Sequence, residues 1–201
     1  MKVYKFNIFF MLFCLAVIIS CSKKESYQLK DDSDIRYRYY NLERMGWKSK
    51  NHKQQVKNIT YEATEVPIQY YLLKDMGNSD LITVDSIYEE NKKERVIEFT
   101  FQDDEERDLL DEKFTKLDYK KSVEYMSFTI QNDFMVVTSK KDTVLCSGVL
   151  FERNFKVAPY NKVLLFFSGI DPNDNIQLIY KDNLFQNGVL KFQFKEPIVI
   201  L

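Results

Sequence analysis

A single histidine, His52, has to serve any catalytic scheme that needs an imidazole in this chain. It stands between Asn51 and Lys53 in what reads as a loop, and is taken as incidental. A Ser/His/Asp triad would have to use it, and no Gly-x-Ser-x-Gly elbow accompanies it. Zinc sites draw on several Cys or His ligands, and one histidine with three cysteines supplies too few. Glycine is scarce, and no Gly-rich phosphate loop is present. The net charge is −1 at pH 7, which gives no argument for a nucleic-acid partner. Asp171, Asn173, Asp174 and Asn175 offer oxygens in part of an EF-hand spacing. Pro172 intervenes, and the central Gly and distal Glu are missing, so this stretch reads as a turn. No catalytic residue, metal or cofactor is assigned.

The three cysteines are unevenly placed: Cys14 and Cys21 near the start, Cys146 far along. Lys2 and Lys5 precede an apolar run from Ile8 to Ile19. That run is too short to span a bilayer comfortably, since about 20 residues are needed. It has the length of a signal-peptide apolar region. Ser20 supplies a small residue at the cleavage edge, and Cys21 follows at once. Ile18-Ile19-Ser20-Cys21 resembles the lipobox of bacterial lipoproteins. The resemblance covers Met1 to Cys21 only and implies cleavage after Ser20, with Cys21 as the first mature residue. Its sulfur would carry a diacylglyceryl group, and in many bacteria its amine a third acyl chain. One chain holds a protein on a membrane only marginally, so several matter. Ser22, where an Asp would retain the protein in the inner membrane, points to the outer membrane. With Cys14 removed and Cys21 acylated, Cys146 has no partner for a disulfide. Its apolar neighbours Val144, Leu145 and Val149 predict a buried, inert thiol.

The expected organisation is a signal peptide over 1–20, the lipidated Cys and a polar tether over 21–34, and one β-rich domain over 35–201. Ile35 to Lys57 sets seven basic residues against Glu43 alone, a charge of +6, with aromatics interleaved. Arg36, Arg38, Tyr39, Tyr40 and Trp47 are the partner-binding candidates, because Arg beside exposed rings suits anionic or ring-bearing partners. A solvated entry segment is the plainer reading.

From Ile59 the pattern predicts strands over Val66–Leu73, Leu81–Tyr88, Arg95–Phe101, Ser122–Ile130, Phe134–Ser139, Thr143–Phe155, Lys162–Phe167, Ile176–Tyr180 and Val189–Phe194. Ile97, Phe99 and Phe101 alternate cleanly toward one face. Asp103 to Phe114 is the one expected helix, with Asp103 as cap and Glu106 three residues on. Its acids would form a solvated face. Asn187-Gly188 predicts a tight hairpin in which both residues take positive φ. Arg153, in Phe151-Glu152-Arg153-Asn154-Phe155, needs a carboxylate or solvent if it shares a face with the two rings. The fold expected is mainly β, an antiparallel sandwich or open barrel with one short helix, the alternative being α+β. The function expected is a lipid-anchored envelope protein presenting a non-enzymatic binding or assembly module to an envelope or secreted protein. The alternative is an anchored, carboxylate-dependent hydrolase of envelope glycan.

Overall fold

The computed structural model describes residues 51–75, 81–154 and 157–195. Ser20, Cys21, the tether, and Arg36, Arg38, Tyr39, Tyr40 and Trp47 lie outside the described residues. Among the described residues nine strands form two antiparallel sheets, which bears out the mainly-β expectation. The larger sheet joins β1 (Asn51–Val56), β2 (Ile59–Val66), β3 (Arg95–Asp103), β7 (Tyr160–Phe167) and β6 (Gly148–Glu152), in that spatial order. The smaller joins β5 (Thr143–Leu145), β4 (Phe134–Thr138), β8 (Ile176–Asp182) and β9 (Gly188–Phe194).

Period-two patterning places the core between the sheets. Ile97, Phe99 and Phe101 of β3 face inward with Ile59 and Tyr61 of β2 and Val163, Leu165 and Phe167 of β7. Phe134, Tyr180 and Phe192 of the smaller sheet meet Phe99 at ring-centroid distances of 5.0, 5.3 and 5.3 Å. Edge-to-face and tilted rings thus join the layers. Such pairs contribute about 0.5–1.5 kcal/mol each beyond the area they bury.

Several expected strands are helices. Val66 ends β2, and Pro67 has no N–H to continue the ladder. Tyr70 N instead donates to Pro67 O at 2.9 Å, and α1 (Ile68–Asp75) begins. Leu81–Tyr88 belongs to α2 (Leu81–Asn91), where Val84, Ile87 and Tyr88 recur at helical spacing and Val84 is buried. Tyr71 of α1 donates to Glu98 Oε1 at 2.7 Å, on the sheet face turned away from the core. Ser122–Ile130 is also helical. It spans α4 (Tyr119–Glu124), a π turn (Tyr125–Thr129) and the start of a 3₁₀ turn (Ile130–Asp133). Asp118 caps it by accepting from Lys121 N at 2.9 Å. Ser122, Met126 and Ile130, each four residues apart, are the buried row.

The helix expected over Asp103–Phe114 shrinks to α3 (Glu112–Thr115), because Asp103 ends β3 and turns its carboxylate inward. Thr143–Phe155 is not one strand. It breaks at Cys146-Ser147 and passes from one sheet to the other, as β5 and then β6. In the β8–β9 connection the positive φ values fall on Gln186 (59°) and Gly188 (86°), not on Asn187. Asp182 pairs with Gly188 across its base, so the loop is longer than a two-residue hairpin. His52 lies on β1 rather than in a loop, its ring edge-on to Phe194 at 4.9 Å. No helix among the described residues is long and apolar enough to cross a membrane.

Candidate binding cavity

The inward row of β3 runs Arg95, Ile97, Phe99, Phe101, Asp103, with a charged residue at each end of an apolar stretch. Asp103 is 0 % exposed. Its carboxylate accepts from Arg107 Nε at 2.8 Å, Arg107 Nη2 at 3.0 Å, Glu105 N at 3.1 Å and Arg107 N at 3.3 Å, and also from Asn58 Nδ2. The Arg107 guanidinium, with these amides, holds the Asp103 carboxyl well below the usual carboxylate range. The segment after β3 is therefore a loop wound around a buried charge. Glu106 takes a left-handed φ of 57° within it, and Leu109 and Leu110 pin its far side into the core. The acids of this stretch do not form one solvated helix face.

The β6–β7 connection faces this loop. Asn154 donates to Ala158 O at 3.1 Å and to Tyr160 O, and Val157 N donates back to Asn154 O at 2.9 Å. Between the two loops opens a cavity of about 490 Å³. That is within the roughly 300–1,000 Å³ typical of small-ligand sites. Arg107, Asp111 and Lys113 line it on one side, Arg153 and Tyr160 on the other, and Tyr119 of α4 contributes to its wall. Arg107 also meets Glu105 at 3.2 Å, and Lys113 lies 3.7 Å from Asp111. Both cations sit over the Phe114 ring, at 5.2 and 5.0 Å from its centroid. Such placement is favourable for a cation near a ring.

Asn161 closes the inner end. It occupies the inward parity of β7, ahead of Val163, Leu165 and Phe167, where the core gives way to the cavity. It is 7 % exposed and lines the cavity.

A second polar cluster lies in the interior. Asp182 accepts from Tyr61 Oη at 2.7 Å, Phe185 N at 2.8 Å, Tyr180 Oη at 3.0 Å and Asn187 N at 3.2 Å. Burial pushes the Tyr180 hydroxyl well up, so it stays a donor. Asp133 accepts from Tyr125 Oη and Asn183 Nδ2, both at 2.6 Å, and burial pushes its carboxyl up. These bonds tie the 183–187 loop and the 3₁₀ turn to the sheets, a structural role.

Of the residues singled out from sequence, Arg153 reaches the cavity, exposed rather than core-facing. Its neighbour Glu152 instead pairs with Lys162 at 2.7 Å. Cys146 is half-buried at the crossing between sheets, donates to Gly148 O at 3.0 Å, and has its thiol pushed up by burial. Asp171 accepts from Asn173 N at 2.8 Å, as the expected turn requires. Arg107, Tyr119, Tyr160 and Asn161 were not anticipated. Only Asn161 carried a signal, as an amide at core parity in an otherwise apolar strand row.

Comparison with protein-family models, with curated proteins and with solved structures finds no match to this chain.

Proposed function

We propose that the chain is a bacterial envelope lipoprotein whose β-sandwich serves as a non-enzymatic binding module. Cleavage after Ser20 and acylation of Cys21 would hold it on the outer membrane. A polar tether would then carry the basic stretch with Arg36, Arg38, Tyr39, Tyr40 and Trp47 between membrane and domain, as a second contact surface for an envelope or secreted partner. The observation that carries the binding reading is the cavity between the 104–111 loop and the β6–β7 connection. Hydrogen bonds brace both sides of it: Asp103 accepts from Arg107 Nε, and Asn154 Nδ2 donates to Ala158 O. The hydrolase alternative wants a proton donor of raised pKa beside the substrate. Asp133, a carboxylate with such a shift, is sealed against Tyr125 and Asn183 and does not line the cavity.

Two measurements on the full chain test the proposal. Cys21→Ala should move the protein out of the detergent phase in Triton X-114 partitioning. Cross-linking in intact cells should yield a partner adduct with wild type that is lost with Tyr160→Ala. Identical partitioning of wild type and Cys21→Ala would remove the anchor. Adducts unchanged by Tyr160→Ala would remove the cavity from the binding role.

A further inference from the structure

We infer that the outward face of the smaller sheet docks on an anionic phospholipid surface; its placement at a membrane rests on the anchored reading above. The outward faces of the two sheets differ. On the larger one α1 reaches over β3 through Tyr71, and the carboxylates are met by cations. Lys53 pairs with Glu62 at 2.8 Å and Lys162 with Glu152 at 2.7 Å. The outward face of the smaller sheet is open. Leu145 on β5 is 70 % exposed there and Val189 on β9 is 58 % exposed.

Strand register sets out what this face carries. Leu145, Met135, Ile179 and Lys191 form one row across β5, β4, β8 and β9. In the next row Lys181 pairs with Val189. Lys181 and Lys191 are therefore diagonal neighbours on adjacent strands, about 7–8 Å apart. Both are exposed, and neither has an ion-pair partner among the described residues. No outward position of the four strands carries a carboxylate to offset them. Like charges within the screening length of about 8 Å repel, so the pair is completed by an anion from outside. Beside it runs the apolar row of Leu145, Met135 and Ile179. A small soluble anion would meet the lysines and leave Leu145 and Val189 in water. A purely apolar partner would cover the lysines and leave their charge unmet. A phospholipid surface offers both, anionic headgroups above an apolar layer, and lysine stems can lie along apolar surface while the ammonium reaches out.

Lipid, rather than an acidic protein, is favoured by where the chain enters the domain. β1 lies along β9: the Gln54 side chain donates to Lys191 O, and the His52 ring meets Phe194 edge-on. The chain that comes from Cys21 thus arrives beside the strand that bears Val189 and Lys191. The stretch that leads in, Ile35 to Lys57, carries +6. An anionic membrane surface attracts lysine and arginine within a Debye length, so it draws the entering stretch and the lysine pair in the same direction. An anchor at Cys21 would bring such a surface to this side of the sandwich.

Fluorescence of the full chain with vesicles tests this. Val189→Cys in a Cys146→Ser background carries an environment-sensitive fluorophore on the face. Ser86→Cys in the same background, exposed on α2, is the control. The vesicles are phosphatidylcholine alone or with about one-third phosphatidylglycerol. Emission from the Val189 probe should shift to the blue on the anionic vesicles only, and the Ser86 probe should not move. Lys181→Glu with Lys191→Glu should abolish the shift at an unchanged melting temperature. Lys181→Gln with Lys191→Gln should reduce it, and decides the matter if the charge reversal misfolds. No shift, equal shifts at both probes, or a shift that survives the folded lysine variants would overturn the inference. A shift that follows protein concentration rather than lipid charge would overturn it in favour of a contact between copies. A shift seen only with envelope extract would overturn it in favour of a protein partner. Triton X-114 partitioning separates this inference from the anchor. Partitioning unchanged by Cys21→Ala, with the anionic shift kept, would remove the anchor and leave the face. Partitioning that depends on Cys21, with no shift, would remove the face and leave the anchor.

Discussion

Arg95 and Asp103 end the same inward row of β3, eight residues apart and equally sealed, yet they finish the two ends of the sandwich differently. Arg95 is enclosed by its partners. Its Nε donates to Glu65, and Nη1 donates to Asp171 O at 2.9 Å and Asp174 O at 3.3 Å. Both members of the ion pair are buried, so that end of the row is a closed knot. Asp103 is enclosed as well, but its guanidinium partner, Arg107, is 36 % exposed. At this end the charge pair straddles the boundary, buried on one side and lining a cavity on the other. A buried ion pair can therefore close a sandwich or hold it open, depending on whether both members are inside.

Removing a partner from the closed end should have the largest effect. Glu65→Ala would leave Arg95 charged, buried and already short of a partner at Nη2, costing about 3–5 kcal/mol in urea unfolding. Replacing both, Glu65→Leu with Arg95→Met, should recover most of that loss, since apolar pairs substitute well for buried ion pairs. A double variant as unstable as the single one would mean that the carbonyl contacts of Arg95, not its charge pairing, hold that end.

At the open end Asp103→Asn should cost less, about 1.5–3 kcal/mol, because Arg107 can turn to water. The pH dependence has a definite sign. Asp103 has a folded pKa below its ordinary 3.8, so its contribution is complete above that value and fades as pH falls beneath it. Asp133 runs the other way. Its folded pKa is raised above 3.8, so its contribution is complete below that value and is lost as pH rises through the folded pKa. Asp103→Asn should therefore flatten the acid side of the stability curve, and Asp133→Asn the side just above it. Unfolding of both variants from about pH 2 to pH 7 checks this. Matching profiles would erase the distinction between a guanidinium-held and a phenol-held carboxylate.

What could be seen from the sequence follows the same contrast. The apolar middle of each row was legible, because Ile97, Phe99 and Phe101 or Val163, Leu165 and Phe167 repeat with period two. The ends were not. Asp103 with Glu106 satisfied a helix-capping pattern, but Arg107, four residues on, bound the carboxylate more strongly, and a loop resulted. Local spacing does not reveal which neighbour wins a charged group. Val66–Leu73 and Ser122–Ile130 misled through β-branched and aromatic content, although Ser122, Met126 and Ile130 kept helical spacing. Pro67 marked the true boundary of β2. The cavity draws on loops about fifty residues apart, a proximity created by pairing β3 with β7.

The smallest effect is expected at Cys146, at the corner where the chain leaves one sheet for the other. Cys146 N donates to Phe134 O at 3.4 Å in the smaller sheet, and Ser147 N to Phe166 O at 2.8 Å in the larger. The corner is thus fixed by backbone bonds that no side-chain change removes. The thiol adds one bond to Gly148 O and partial burial, and burial holds its pKa up, so the nucleophilic thiolate is rare at neutral pH. Cys146→Ser should keep that bond and cost under about 1 kcal/mol. A thiol reagent should label Cys146 slowly in the native chain and rapidly in urea. Fast native labelling would mean that the corner opens without global unfolding. The two sheets would then be joined less firmly between their ends than at either Arg95 or Asp103.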